Sequence, residues 1–275
     1  MRGFIKWTGV AILCIGLIAC TSNKNAENVH YAKDDRQTLD IYTPQINEGE
    51  KHPVLIYLHG GGWTSGDKSR AASKPALFTE NGYVFVSVNY RLHPDVQYEE
   101  MADDAAKAVK WVMDHADEYQ IDPSKINVMG HSAGGHLAAL IAANPAYLNR
   151  VGLTPASLNS IVVLDGPLDM KRFIEAIPSY QKVFGSDEKV WTEASPLSYI
   201  NNSKLPPAYL VTRWEDPAVY KFAETVNKAK ATDFVYRVNS LSHSDLNKMF
   251  GSPDAPAEAQ NMTKAVMAFL EKENK

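Results

Sequence analysis

The sequence predicts an α/β fold: a mostly parallel, doubly wound sheet with a short insertion after its sixth strand. Two observations carry that expectation. Short β-rich runs at 54–58, 83–88, 126–129, 161–164, 208–211 and 234–238 mostly lack polar alternation, as strands buried on both faces do. Stretches of helical period separate them, and strands alternating with helices of this length form βαβ units and so parallel pairs. The 275 residues are 45% hydrophobic and 22% charged, the size and composition of one globular domain with a sizeable core.

Taken in chain order, Arg2 and Lys6 precede an apolar run, 10–19, too short to span a bilayer comfortably. The run ends in Leu17-Ile18-Ala19-Cys20, which resembles the lipobox of bacterial lipoproteins. That resemblance implies a signal peptide at 1–19, lipidation of Cys20 and a polar tether at 20–28, which leaves 29–275 as the folded body. It also implies export and anchoring in the cell envelope. Cys14 and Cys20 are the only cysteines, so the processed body holds no thiol for a disulfide, a Cys nucleophile or a thiolate metal site.

Early strands are expected at 29–32 and 39–44, Pro44 ending the second. Met101, Ala105, Ala108, Val109, Val112 and Ala116 recur at helical spacing within 99–118, and further helices are expected from about Ser132, at 217–230 and at 255–272. The stretch 166–204 holds Pro167, Pro178 and Pro196 and five aromatics but no convincing strand; it is either a lid or pocket wall or an insertion whose aromatics only bury it against the body, and one segment can do both.

A strand ending at Met129, then Gly130-His131-Ser132-Ala133-Gly134, then a helix, resembles the nucleophile elbow of α/β-hydrolases. Glycines two positions either side of Ser132 permit a sharp turn, and a serine at a helix N-terminus faces developing negative charge toward backbone N–H groups. A serine needs a base to take its proton and an acid to orient that base. The resemblance implies the chain order Ser, acid, His. Beyond Ser132 there are two histidines; His136 lies one turn along the nucleophile's own helix, which leaves His243 as the base. The acid is expected after the strand 208–211, where Asp216 and Glu215 compete and Asp216 is favoured because Pro217 can start a helix behind it.

His59-Gly60-Gly61-Gly62-Trp63 follows the strand 54–58, where this fold supplies an oxyanion donor, so Gly61, Gly62 and Ala133 are the expected hole. A phosphate-loop reading of 61–69 fails on Asp67, which intrudes between Gly66 and Lys68. Trp63 and Trp214 are candidate pocket walls.

The segments 59–63 with Gly66-Asp67-Lys68, Asn89-Tyr90-Arg91-Leu92 and 130–140 resemble the HGGG-type bacterial esterases, in particular feruloyl/acetyl-xylan esterase-like proteins and arylformamidases. The chain departs from them at Arg213-Trp214, where members often carry a Gly before the acid. The resemblance implies a serine carboxylesterase for short or aromatic acyl esters, carbohydrate-linked ones included, with no cofactor and no metal. Two other readings stay open: an arylformamidase or amidase using the same machinery, and an inactive hydrolase-fold binding lipoprotein. A formal net charge of −4 gives no reason to expect a nucleic-acid partner.

Overall fold

A computed structural model describes residues 23–45, 49–201 and 205–275. The signal peptide and Cys20 lie outside the described residues. Eight strands, β1 (Ala26–His30), β2 (Thr38–Tyr42), β3 (His52–Leu58), β4 (Val84–Val88), β5 (Ile121–His131), β6 (Ser160–Leu164), β7 (Ala208–Thr212) and β8 (Val235–Arg237), form one sheet in the order β1-β2-β4-β3-β5-β6-β7-β8. The pairs β1–β2 and β2–β4 are antiparallel; all others are parallel.

Alternate residues of the central strands feed two separate cores, as the two-residue period of a strand requires. Val54, Ile56, Leu58, Val84 and Val86 pack on one face, and Leu55, Tyr57, Phe85 and Met129 on the other. The first face is covered by α2 (Tyr98–Asp114) and α3 (Ala133–Ala143), the second by α1 (Lys74–Glu80) and α10 (Ala257–Glu273). In α2 the predicted stripe of Met101, Ala105, Ala108, Val109 and Val112 is fully buried, and a capping box between Gln97 and Glu100 starts the helix.

The expected tether corrects at its C-terminal end. Lys24 N–H donates to Thr43 Oγ1, Asn25 accepts from Thr43 N–H, and β1 begins at Ala26. Residues 26–28 are therefore strand. β1 is an edge strand with exposed polar side chains, so only its C-terminal part falls within the strand expected at 29–32.

The insertion after β6 folds as α5 (Met170–Ala176), a 3₁₀ turn, α6 (Gln181–Phe184), α7 (Glu188–Glu193) and a second 3₁₀ turn. Phe184 and Trp191 are buried while Phe173, Ile177 and Tyr180 face a cavity, so the segment both packs on the body and walls the site. Beyond β7, α8 (Pro217–Asn227) returns to the sheet, and β8 leads to α9 (His243–Lys248). The short helices α1, α4 (Pro145–Arg150) and α9 were not legible in the sequence, being about two turns or less.

Candidate active site

Ser132 stands between β5 and α3 with φ 56° and ψ −121°, in the left-handed half of backbone space that a serine adopts only under constraint. Its N–H donates to Leu164 O of the neighbouring strand at 2.9 Å. The flanking glycines are required by contact: a Cβ on Gly130 would lie 2.1 Å from Gly134 O, and one on Gly134 would lie 2.1 Å from Leu58 O. Strand, turn and helix are thus pressed together so that the serine stands at the carboxyl edge of the sheet.

His243 is the first residue of α9, whose start is fixed by a reciprocal capping box between Ser242 and Asp245. The helix is held from beneath. Lys74 Nζ donates to Asn247 O and Oδ1 at 2.7 Å each, and Tyr57 Oη donates to Asn247 Oδ1. From the elbow side, His131 Nε2–H donates to His243 O at 2.8 Å, and the two rings lie 4.6 Å apart. The residue before Ser132 therefore holds His243 in place, a role that nothing local in the sequence assigns to His131.

The acid partner differs from the expectation. His243 Nδ1–H donates to Asp165 Oδ2 at 2.6 Å, and Asp165 is the residue directly after β6. Asp216 does not meet His243: it is the N-cap of α8, accepts from Ala218 N–H, and lies 3.6 Å from Arg172. Glu215 pairs with Arg237 at the surface. The Asp-Pro signature at 216–217 marks the start of α8.

Asp165 has a left-handed φ of 52°, and its N–H donates to Val211 O. Gly166 follows because a Cβ there would press to 2.7 Å from His136 N and 2.9 Å from Ser132 O. Arg213 Nε–H donates to the same oxygen, Oδ2, at 2.5 Å, and Arg213 N–H to Oδ1 at 3.3 Å. The Asp165 side chain is only 7% exposed. Burial alone would push its carboxyl up; the hydrogen bonds from His243 and Arg213 outweigh that and hold it below the usual carboxylate range.

Gly61 and Gly62 line the cleft beside Ser132 and His243, and Ala133 opens α3. Among the described residues no protein acceptor takes the backbone N–H of Gly61, Gly62 or Ala133, which leaves all three for a ligand oxygen. A cavity of about 520 Å³ on the other side of Ser132 is walled by Phe173, Tyr180 and Trp214, with Asp165 and His243 at its base. Trp214 is 64% exposed at its rim.

Trp63 is corrected from pocket wall to core. It is buried among Phe173, Tyr180 and Phe184, and its Nε1–H donates to His136 Nδ1, whose Nε2–H donates to Ala194 O. His136, one turn along the helix that follows Ser132, is thus a fully buried packing residue. The phosphate-loop alternative also fails on contacts: Asp67 caps a 3₁₀ turn through Ser69 N–H, and Lys68 is buried against Asp40 and Asn28.

Burial lowers the imidazoles of His136 to about 4, His131 to about 3 and His59 to about 4. Each is neutral when folded but titrates near 6.5 when unfolded. The unfolded chain thus takes up more protons between those values, and stability falls as pH drops from 6.5 toward 4. Urea unfolding is expected to lose about 2 kcal/mol per histidine between pH 7 and pH 4.5. A flat stability over that range would contradict these three burials.

An elbow serine, a histidine that lines the same two cavities and a buried aspartate bonded to that histidine stand at the carboxyl edge of an α/β-hydrolase sheet. The BD-FAE family model matches residues 39–230, and the chain belongs to that family. It is 38% identical over 197 residues to a probable carboxylic ester hydrolase, LipM, of Mycobacterium tuberculosis, covering 66% of this chain and 45% of that protein. A probable isoprenylcysteine alpha-carbonyl methylesterase of Oryza sativa is 32% identical over 251 residues, covering 82% and 58%. The chain spans about half the length of the curated relatives it matches. Among solved structures, Thermogutta terrifontis esterase 2 phosphoramylated by tabun superposes with a TM-score of 0.71 at 23% identity, covering 91% of this chain and 94% of that one.

Proposed function

We propose that the protein is a serine carboxylic ester hydrolase with the triad Ser132, His243 and Asp165. The single observation that supports it is the 2.6 Å bond from His243 Nδ1–H to a buried Asp165 beside the elbow serine. That bond fixes the tautomer with a bare Nε2, the form that can take the proton of Ser132. Ser132 Oγ attacks the ester carbonyl, and its proton passes to His243. The oxyanion is held by Gly61, Gly62 and Ala133 N–H. The tetrahedral intermediate collapses, the alcohol leaves with the proton from His243, and water then releases the acid by the same path.

The cavity of about 520 Å³, with its aromatic wall, supports a short or aromatic acyl ester, carbohydrate-linked ones included, as the small-molecule substrate. The motif Leu17-Ile18-Ala19-Cys20 supports export and a lipid anchor on Cys20, so that the enzyme faces substrates outside the cytoplasm. Mass spectrometry of the membrane-bound protein should find an acylated Cys20 at the mature N-terminus; an intact leader would overturn the anchor.

The decisive experiment is labelling with a fluorophosphonate probe. A stoichiometric adduct on Ser132 of folded protein is expected, and an unlabelled Ser132 would favour a binding protein. A panel of p-nitrophenyl acetate, methyl ferulate and an aryl formamide should show turnover of the esters; faster turnover of the formamide would assign an amidase instead.

A further inference from the structure

After β7, where the sequence led one to expect the acid, the structure carries a cation. Arg213 leaves the end of β7 and directs its guanidinium to Asp165, at the end of the adjacent strand β6. Its Nε–H and the Nδ1–H of His243 converge on one oxygen, Asp165 Oδ2, at 2.5 and 2.6 Å, while its backbone N–H reaches Oδ1. The guanidinium also lies over Trp214, 5.1 Å from the ring centre. It touches neither Glu215 nor Asp216, which pair with Arg237 and Arg172.

We propose that Arg213 is a positioning residue for the base–acid couple, which holds the Asp165 carboxylate under His243 and offsets part of its charge. The proposal rests on the Ser132–His243–Asp165 reading above. Geometry supplies the first half: a rigid fork anchored at the backbone and stacked on an indole leaves Asp165 one orientation. Charge supplies the second. A lone aspartate favours the imidazolium, whereas one that already accepts from a guanidinium favours it less.

The other groups around His243 do not duplicate this effect. From the end of β5, His131 is neutral across the working range, being lowered to about 3 by burial. Arg70 and Lys248 share the cleft with His243 on the side away from Asp165, and Asp169, Arg172, Glu215 and Asp216 line the larger cavity. Among the described residues, the Arg213 guanidinium and the His243 imidazole are the partners within ion-pair distance of Asp165.

The test compares the full chain with Arg213→Gln, Arg213→Lys and Asp165→Asn, measuring kcat/KM on p-nitrophenyl acetate from pH 5 to 8.5. The acid limb reports protonation of the base. With Arg213→Gln it should move up by about one pH unit, as loss of one nearby charge predicts, and Arg213→Lys should move it back toward the wild-type position. An acid limb unmoved in Arg213→Gln, whatever its plateau, overturns the proposal. If that variant does not fold, Arg213→Met, whose stem can still pack on Trp214, takes its place: an acid limb moved up supports the proposal and an unmoved one overturns it. Asp165→Asn separates the two levels: wild-type rates in that variant would sink the triad itself, whereas lost activity there with an unmoved limb in the Arg213 variant sinks only this inference.

Discussion

Ser132→Ala is expected to fold like the wild type and to lose ester hydrolysis by a factor on the order of 10⁵ to 10⁶, the scale seen when a triad nucleophile is removed. Alanine removes only the hydroxyl oxygen. The left-handed turn, the bond from residue 132 N–H to Leu164 O and the Gly130–Gly134 contact depend on the backbone. The unspent N–H groups of Gly61, Gly62 and Ala133 also remain, so residual turnover above water should come from the oxyanion hole and binding. The check is kcat on p-nitrophenyl acetate together with a thermal melt. Retained turnover in a protein with an unchanged melt would remove Ser132 from the mechanism.

The contrast between Ser132 and Asp165 explains how far the sequence could be read. A nucleophile elbow is local: two glycines, a strand before and a helix after stand within about ten residues, and each was visible in the order 126–140. His243 was reached by elimination, since only two histidines follow the serine. The central strands announced themselves because burial on both faces forces continuous apolar runs, as in β4 and β6, where every residue is buried. The edge strand β1 was read only in part, as 29–32 for 26–30, because an edge facing water keeps polar side chains.

What stayed hidden depends on lateral distance across the sheet, which no local pattern records. Asp165 satisfies the order Ser, acid, His as well as Asp216 does, but the sheet separates the two. β6 is the immediate neighbour of β5, so a residue at its end stands about 4.8 Å from the elbow strand, whereas the loop after β7 begins two strands away. The readable clue was a strand, 161–164, ending directly in Asp165-Gly166. The roles of His131 and Trp63 were hidden in the same way. One donates to a carbonyl 112 positions later, and the other points into a core closed by the insertion.

The same lateral argument yields the second large effect, a pair of isosteric substitutions that divide the two aspartates. Asp165→Asn is expected to lower kcat by about 10⁴-fold, because an amide nitrogen placed against His243 Nδ1 donates where the carboxylate accepted and drives the imidazole to the wrong tautomer. It also leaves Arg213 without its counter-charge. Asp216→Asn should change kcat/KM by less than about threefold, since asparagine caps a helix about as well as aspartate. Its bond to Ala218 N–H survives the change, and its contact with the half-exposed Arg172 is a weak one. Steady-state rates at pH 7.5 for the two variants decide between them. If Asp216→Asn were the inactive one and Asp165→Asn turned over normally, the acid would return to the loop after β7. The contact between Asp165 and His243 would then have to open before catalysis, and the N-cap of α8 would have to release Asp216 toward a histidine it does not touch in this structure.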